Sequence, residues 1–487
     1  MNYGQFLNMI PEAFLVLALI VVFFADFALA KTKVKGCTLA CLTIGSLAVV
    51  TAVCLTAQPS MAFGGMYVAP KAALVMKAIL TAGTLIVVLM AQPWVESSAT
   101  TVKNEGEFYL LVLSTLLGMF IMTSSGNFLL FFLGLETASV PMACLVAFDK
   151  FKKNSAEGAA KYILTATFSS GVMLYGLSFI YGSVGTLYFD DVAQRISYFA
   201  QYKSQLPMLI AGLVFFFSGL GFKLSLVPFH FWTADTYEGA PTPVTGYLSV
   251  VSKGAAAYAL MFILMRAFAP LVEYWEYLLY LVLVLSITVA NLFAIRQSEL
   301  KRFMAFSSIS QAGYIMLAVI GSSQMGMAAL MYYVMVYVVA NMAVFTVISA
   351  VEQHNNGTTQ MASYDGLYQT NPKLAFLMTL ALFSLAGIPP FAGMFSKFFV
   401  FMAAAEQGSF WAYFVVFIAL INTVVSLYYY LLIVKAMYIK QTDTPLPTFR
   451  TERTTQIALA VCTLGIALFG ICSCLYDYLF NVSISVM

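Results

Sequence analysis

The chain has 487 residues, of which 61% are hydrophobic and only 9% are charged, and its mean hydropathy is +0.89. A soluble domain carries about 25% charged residues, so this composition excludes a soluble protein and indicates a polytopic membrane protein. The formal net charge of +3 is uninformative as a total, and no nucleic-acid partner is expected.

Fourteen apolar segments are long enough to span a bilayer, which predicts an all-α polytopic membrane protein with about 14 transmembrane helices. We expect one transmembrane domain over residues 1–487, because the longest connections, 183–206 and 351–372, are too short to fold alone. The first segment has no basic stretch ahead of it and no cleavage site of small residues, so it is expected to be a retained span and not a signal peptide. The segments are centred on 10–30, 36–57, 73–92, 108–125, 127–148, 158–182, 207–232, 242–268, 274–296, 301–322, 325–350, 373–405, 409–436 and 455–480.

The basic residues are distributed unevenly between the two sides of these segments. With the N-terminus outside, sixteen Lys and Arg residues fall on the inside and four on the outside. The other four of the 24 lie within spans, namely Lys77, Lys223, Lys253 and Lys397. Because Lys and Arg are enriched in cytoplasmic loops, we expect both termini outside, on the periplasmic side of a bacterial inner membrane.

Two pairs of short segments are similar to each other. The sequence FFLGLETASVPM at 131–142 resembles AFSSISQAGYIM at 305–316, and FSGLGFK at 217–223 resembles FSLAGIP at 383–389. The members of each pair lie five spans apart, an odd number, so the two copies would be inverted in the membrane. Inverted repeats with interrupted helices point to a transport site.

Glu136 lies nine or ten residues into its span, between FFLGL and TASVPMACLV. A charge at that depth is costly and is usually paired, and Lys223 is its natural partner. In one interpretation the pair only holds the bundle together. In the other, Glu136 is an acid that gains and loses a proton and whose pKa is set by the nearby lysine. An apolar residue would serve packing at lower cost, which favours the second interpretation.

The stretch from Phe217 to Lys253 places two lysines in apolar surroundings on either side of a polar turn that contains proline. A lysine near the bilayer centre costs about 2.5–3.5 kcal/mol even on a lenient scale, so Lys223 and Lys253 need a partner or a water-filled cavity. Pro228 breaks the helix, and backbone broken at this depth must be satisfied by protein or water. Lys253 is about ten residues from the turn, too far to reach the inside surface. We therefore expect an ion pathway here.

A second break with a lysine occurs in SLAGIPPFAGMFSKFFVF, where Pro389 and Pro390 interrupt a helix and Lys397 follows one to two turns later. Lys77 is different, because it lies only about five residues from the outer end of its span. It could extend to the interface, so no site role is assigned to it.

His230 stands at the edge of the Pro228 break. It could relay protons between water and the two lysines, or it could be a hydrogen-bonded histidine at a helix end. Asp235 and Glu238, in the turn that follows, are interpreted as solvated loop charges at the inside mouth.

The seven cysteines all lie in apolar segments, and none forms a CxxC pair or a metal-binding spacing with either of the two histidines. We therefore expect no metal or iron–sulfur site in this chain. The cysteines are interpreted as small apolar packing residues.

Together these motifs resemble a known family. The sequence GFKLSLVPFHFWTADTYEGAPTPVTGYLSVVSK, the LGLE ending at Glu136, AEGAAKY at 156–162, SSISQAGY at 307–314 and SLAGIPPFAGMFSKF at 384–398 are similar to the proton-translocating antiporter-like subunits of respiratory complex I. The resemblance covers the fourth to the thirteenth segment closely. Of the L, M and N types, the chain is most similar to the N type, since it lacks a long C-terminal lateral helix and has Lys397 where the M type usually carries glutamate.

The resemblance implies two inverted five-helix halves, over 108–268 and 274–436, with broken seventh and twelfth helices. It also implies a proton path along the membrane plane through Glu136, Lys223, Lys253 and Lys397, in that order. No redox chemistry is expected in this chain, which has no soluble GxGxxG unit; NADH, flavin, iron–sulfur clusters and quinone would belong to partner subunits. The partners would be neighbouring antiporter-like subunits, small membrane subunits and membrane lipid.

The resemblance thus predicts a proton-translocating subunit of a translocase, driven by quinone reduction elsewhere in the complex. Two alternatives stay open. One is a subunit of a sodium/proton antiporter or membrane-bound hydrogenase of the same superfamily. The other is a scaffold whose buried charges only hold subunits together.

Overall fold

The computed structural model describes residues 3–30, 35–97, 104–202, 206–442, 445–472 and 474–486. Four basic residues that enter the orientation count, Lys31, Lys33, Lys103 and Lys203, lie outside these residues. In the described part, thirteen helices are long and apolar enough to span a membrane. A pair of shorter apolar helices, Pro372–Ala386 and Ala392–Ala405, occupies the remaining predicted segment. The prediction of an all-α polytopic membrane protein with about 14 spans is confirmed.

The helices follow one another with short connections. Up to the middle of the chain they are α1 (Ile10–Ala28), α2 (Lys35–Thr56), α3 (Lys71–Ser97), α4 (Glu105–Thr123), α5 (Phe128–Val146), α6 (Lys153–Val184), α7 (Phe189–Tyr202), α8 (Leu206–Leu224), α9 (Phe231–Gly239), α10 (Thr242–Tyr247) and α11 (Lys253–Arg266), with a π-helical turn at Leu248–Ser252. The later ones are α12 (Val272–Ala294), α13 (Leu300–Ile320), α14 (Gln324–His354), α15 (Leu367–Thr370), α16 (Pro372–Ala386), α17 (Ala392–Ala405), α18 (Phe410–Tyr438), α19 (Arg453–Ile471) and α20 (Cys474–Ser483). Short 3-10 turns lie at Tyr3–Asn8, Phe63–Gly65, Ala269–Leu271, Met361–Tyr364 and Ile484–Val486.

Two elements differ from the sequence prediction. The connection expected at 183–206 contains α7, and the last predicted segment, 455–480, is divided between α19 and α20. Helix α7 has two acidic residues in its first turn, Asp190 and Asp191. Acidic residues there stabilise a helix N-terminus through the helix dipole. Hydropathy does not detect this signal.

The break at Pro228 is satisfied by protein groups. Helix α8 ends at Leu224, and the amide of Leu226 donates to Gly221 O at 2.8 Å. The amide of Val227 donates to Ser286 Oγ of α12 at 2.9 Å. The backbone released at this depth therefore finds partners inside the bundle, as a membrane interior requires.

The second break begins at Gly387, which closes α16 in the left-handed conformation with φ 89°. Its amide and that of Ile388 both donate to Phe383 O at 3.0 Å, which ends the helix. Helix α17 starts five residues further on, at Ala392. Both predicted interruptions are confirmed.

The centre of the bundle is formed by α13, α14 and the helix that runs over 242–266. The most apolar window of α13 is 100% buried, whereas the corresponding windows of α1 and α18 are only 28% buried. The peripheral helices expose large apolar side chains such as Phe24, Phe417 and Val424. These faces suit a lipid environment, while the central helices meet only protein.

An antiparallel hairpin of β1 (Ser60–Ala62) and β2 (Tyr67–Ala69) lies on the face of the bundle that carries the N-terminus, which we call the N-terminal face. Tyr67 in β2 also forms a backbone bridge with Ser125, just before α5. The side chain of Asn127 caps α5 by accepting from the amide of Leu129 at 2.7 Å. This hairpin thus ties the first three spanning helices to the start of α5.

The division of the chain into two halves, 108–268 and 274–436, stays a prediction.

Candidate functional site

Lys223, near the end of α8, is 4% exposed and faces α5 and α6. Its Nζ donates to Ser139 Oγ at 2.9 Å and to Tyr162 OH at 3.2 Å. The Nζ also lies 5.9 Å from the centroid of the Tyr162 ring. Hydroxyl oxygens and an aromatic ring thus surround this ammonium group, and they can accept hydrogen bonds without fixing its charge.

Glu136 is half-buried on α5, and Ser170 of α6 donates to its Oε1. No ion pair joins Glu136 to Lys223 among the described residues, so the expected direct contact is absent. Instead, Lys223 contacts Ser139, which lies three residues beyond Glu136 and hence on the same side of the helix. Glu136 and the serine that Lys223 binds therefore lie on one face of α5, and the carboxylate has a separate hydroxyl partner in Ser170.

His230 directly precedes α9 and is 9% exposed. Its ring centroid lies 4.6 Å from that of Phe231. In the described part of the chain no hydrogen bond joins His230 to Lys223 or Lys253. A relay through His230 would thus need an additional group between the imidazole and either lysine.

Lys253 begins α11 and is 1% exposed. Its Nζ donates to Ser308 Oγ of α13 at 2.8 Å and lies 5.6 Å from the centroid of the Tyr237 ring. The Tyr237 hydroxyl lies 3.3 Å from the same serine oxygen. Lys253 therefore points into the centre of the bundle and not toward either surface.

Lys397 lies in α17 and is 4% exposed. Its Nζ donates to the carbonyl oxygen of Ala386 at 2.9 Å and lies 4.9 Å from the centroid of the Tyr314 ring. Ala386 is the last residue of α16, so the lysine satisfies a carbonyl that the break releases. A Cβ at Gly387 would stand 3.0 Å from Lys397 Cδ, which makes this close approach dependent on glycine.

Sequence reasoning selected the lysines but missed the groups that they contact, namely Ser139, Tyr162, Tyr237, Ser308, Tyr314 and Ala386. Three of them could have been identified from the sequence. Ser139 is on the same helix face as Glu136, and Ser308 and Tyr314 both belong to the SSISQAGY motif. Polar residues spaced along one face of an otherwise apolar span were the signal.

The sequence-based interpretation of Asp235 and Glu238 as solvated loop charges is wrong, because both form ion pairs. Lys161 Nζ lies 2.5 Å from Asp235 Oδ2, and one nitrogen of Arg302 lies 2.7 Å from both Asp235 Oδ1 and Glu238 Oε2. Burial raises the pKa of Asp235, but the hydrogen bonds from Lys161 and Arg302 lower it overall. This cluster joins α6, α9 and α13 at the face opposite the N-terminal face.

Lys77 does not extend to the interface, which corrects the sequence-based interpretation. It is 0% exposed, and its Nζ lies 2.5 Å from Glu12 Oε1 of α1. Tyr67 of the hairpin donates to the other oxygen of Glu12 at 2.9 Å and accepts from Lys77 at 3.2 Å. The depth was misjudged because the hairpin covers the end of α3.

Comparison with known proteins places this arrangement in a family. The model of the transmembrane family "NADH:quinone oxidoreductase/Mrp antiporter" matches residues 125–425, which include Glu136, Lys223, Lys253 and Lys397. The chain is 60% identical over 422 residues to the NADH-quinone oxidoreductase subunit N of Phocaeicola vulgatus, and the match covers 87% of each chain.

Two solved structures share the fold. A chain of respiratory complex I from Thermus thermophilus, with bound aureothin, superposes with a TM-score of 0.78 at 30% identity, covering 95% of this chain and 97% of that one. A chain of the Mrp complex from a Dietzia species gives a TM-score of 0.82 at 18% identity, covering 100% of this chain and 97% of that one. The second likeness concerns the fold alone.

Proposed function

The chain belongs to the NADH:quinone oxidoreductase/Mrp antiporter transmembrane family, and from that premise we propose that it is a proton-translocating subunit of a bacterial complex I. Protons would cross the membrane by way of Glu136, Lys223, Lys253 and Lys397. The name of the relative from Phocaeicola vulgatus, NADH-quinone oxidoreductase subunit N, supports this assignment. The chain itself would carry out no redox chemistry and would hold no cofactor.

One observation carries the proposal. Lys223, Lys253 and Lys397 are each at most 4% exposed, and among the described residues none of them forms an ion pair. Lys77, equally buried, is paired with Glu12 at 2.5 Å. A lysine that serves only folding is expected to be paired, because an unpaired buried charge costs several kcal/mol. Lysines that meet only hydroxyls, rings and a carbonyl are suited to gaining and losing a proton.

The mechanism is electrostatic. In the low-dielectric interior, unit charges several ångströms apart interact by several kcal/mol, which is enough to move a proton between adjacent groups. A negative Glu136 would favour a protonated Lys223. A charge arriving from a neighbouring subunit would weaken that interaction and drive the proton from Lys223 toward Lys253. Lys397 would then release a proton to the outside, and quinone reduction in partner subunits would supply the energy.

The assembly and orientation follow from the same assignment. The partners would be adjacent antiporter-like subunits and small membrane subunits, which contact the apolar outer faces together with lipid. The excess of basic residues on one side, sixteen against four, supports a bacterial inner membrane location with both termini in the periplasm.

Proton pumping by the purified native complex in proteoliposomes tests the proposal. Replacement of Lys253 by leucine is expected to abolish most pumping while the complex assembles normally. The matched control is Lys150→Met, an exposed lysine in the connection between α5 and α6. Undiminished pumping by the Lys253 variant would mean a scaffold. If proton pumping required sodium and sodium ions were themselves transported across the bilayer, the protein would be a sodium/proton antiporter.

A further inference from the structure

A row of polar side chains follows one face of α13 between Lys253 and Lys397. Ser307, Ser308 and Gln311 are at most 2% exposed, in a helix whose other side chains are mainly apolar. Gln311 follows Ser307 by four residues and Ser308 by three, so all three lie on adjacent turns of the same side. A purely structural helix at the centre of the bundle has no need of three hydroxyl and amide groups there.

The row contacts Lys253 directly at one end, and at the other end it reaches the carbonyl next to the one that Lys397 binds. At one end, Lys253 Nζ donates to Ser308 Oγ at 2.8 Å. At the other, Gln311 Nε2 donates at 3.3 Å to the carbonyl oxygen of Leu385. Leu385 directly precedes Ala386, whose carbonyl oxygen accepts from Lys397. Gln311 and Lys397 thus satisfy adjacent carbonyls released at the end of α16.

Gln311 is held by two tyrosine hydroxyls from different helices. Tyr333 of α14 donates to its Oε1, and its Nε2 donates to Tyr430 OH of α18 at 3.2 Å. The hydroxyl of Tyr430 also lies 2.5 Å from Ser307 Oγ. Every polar atom of the amide has a partner, so its orientation is fixed and it in turn fixes both hydroxyls.

Resting on the proposed function, we infer that Gln311 is the positioning residue for proton transfer from Lys253 to Lys397. The amide neither gains nor loses a proton. It holds the Tyr430 hydroxyl beside Ser307, and it ties this hydroxyl pair to the broken end of α16 where Lys397 binds. Proton exchange between the lysines would pass along these hydroxyls, with Tyr333 locking the amide in place.

Two substitutions at Gln311 distinguish this role from packing. Methionine keeps the length and shape of glutamine but has no hydrogen-bonding amide, whereas histidine changes the shape but can still donate and accept. We expect Gln311→Met to lower proton pumping by the assembled complex roughly fivefold or more, and Gln311→His to retain more activity than the methionine variant. A packing role predicts the reverse order.

Two adjacent tyrosines supply a matched control that removes only one oxygen atom. Tyr430→Phe is expected to lower pumping, because it removes the hydroxyl between Ser307 and Gln311. Tyr429→Phe removes the neighbouring hydroxyl, which donates to Asn291 at 3.1 Å, and it is expected to lower pumping clearly less than Tyr430→Phe. This pair decides the matter if the Gln311 variants fail to assemble.

The parallel Lys253→Leu variant separates this inference from the proposed function. Full pumping by Gln311→Met and Tyr430→Phe, with pumping lost in Lys253→Leu, would overturn the role of Gln311 alone. Full pumping by Lys253→Leu would overturn the proposed function and the inference with it.

Discussion

Lys77 of α3 and Glu12 of α1 form an ion pair in the protein interior, with Nζ 2.5 Å from Oε1 and both side chains at most 5% exposed. Tyr67 hydrogen-bonds to both members of the pair. Three elements separated in sequence, two helices and the hairpin, therefore meet at one charged group. This pair differs from the three lysines of the candidate site, because its charge is neutralised directly.

Removing one member of this pair is expected to destabilise the subunit. Lys77→Met leaves the Glu12 carboxylate buried without its cation, which costs about 3–5 kcal/mol. We expect a clearly lower thermal midpoint of the purified complex and less of the subunit in assembled complex. The double variant Glu12→Leu with Lys77→Met should recover most of the loss, because it removes both charges.

Lys150→Met, at an exposed position, is the control for loss of a lysine and should leave the midpoint unchanged. If Lys77→Met assembled fully but no longer pumped protons, the pair would belong to the proton path and not to the structural framework.

Glu136→Gln is expected to assemble normally but to lower proton pumping about tenfold or more. The amide keeps the shape and can still accept the hydrogen bond from Ser170, so the local structure should be retained while the charge is lost. Glu107→Gln, an exposed residue in the first turn of α4, is the matched control. Normal pumping by Glu136→Gln, in membranes with normal amounts of complex, would remove Glu136 from the path.

The cluster around Asp235 should make stability depend on pH in a predictable direction. Since Lys161 and Arg302 lower the pKa of Asp235 in the folded state despite its burial, its contribution is fully present above the ordinary Asp pKa of about 3.9. It is lost as the pH falls through the lower folded-state pKa. The thermal midpoint of the wild type should exceed that of Asp235→Asn near neutrality, and the difference should shrink below about pH 4. A difference that stayed constant down to pH 3 would contradict this account.

The spans and both helix breaks were predictable because hydropathy and proline act locally. A run of apolar residues long enough to span a bilayer favours a helix wherever it lies. Pro228 is followed by a polar turn and Pro390 stands in a stretch with a second proline and two glycines, which marks these two as breaks, whereas the isolated Pro93 and Pro141 stay within α3 and α5. The burial of Lys253 followed from its distance of about ten residues from the polar turn.

The partners of the lysines were not predictable, because they depend on which helices pack together. Ser139 lies 84 residues before Lys223, and a serine in an apolar span has the same appearance whether it packs or binds a charge. The depth of Lys77 was misjudged for a related reason: its partner Glu12 lies 65 residues away in the sequence. Only the folded arrangement shows that a lysine near the end of a span is enclosed.

Lys397 allows the most discriminating test, because two substitutions separate charge from proton exchange. Its Nζ donates to the carbonyl of Ala386 at 2.9 Å and lies over the Tyr314 ring, and no carboxylate is paired with it among the described residues. If the lysine only satisfied this carbonyl, Lys397→Arg would preserve function, since arginine also donates, and Lys397→Glu would place a negative group against the carbonyl oxygen. If Lys397 releases protons to the outside, the order is reversed, because the guanidinium cannot be deprotonated in proteins whereas glutamate can titrate. We therefore expect Lys397→Arg to impair proton pumping more than Lys397→Glu when both are normalised to assembled complex. Equal or better pumping by the arginine variant would assign Lys397 to the structure of the break and would end the proton path before α17.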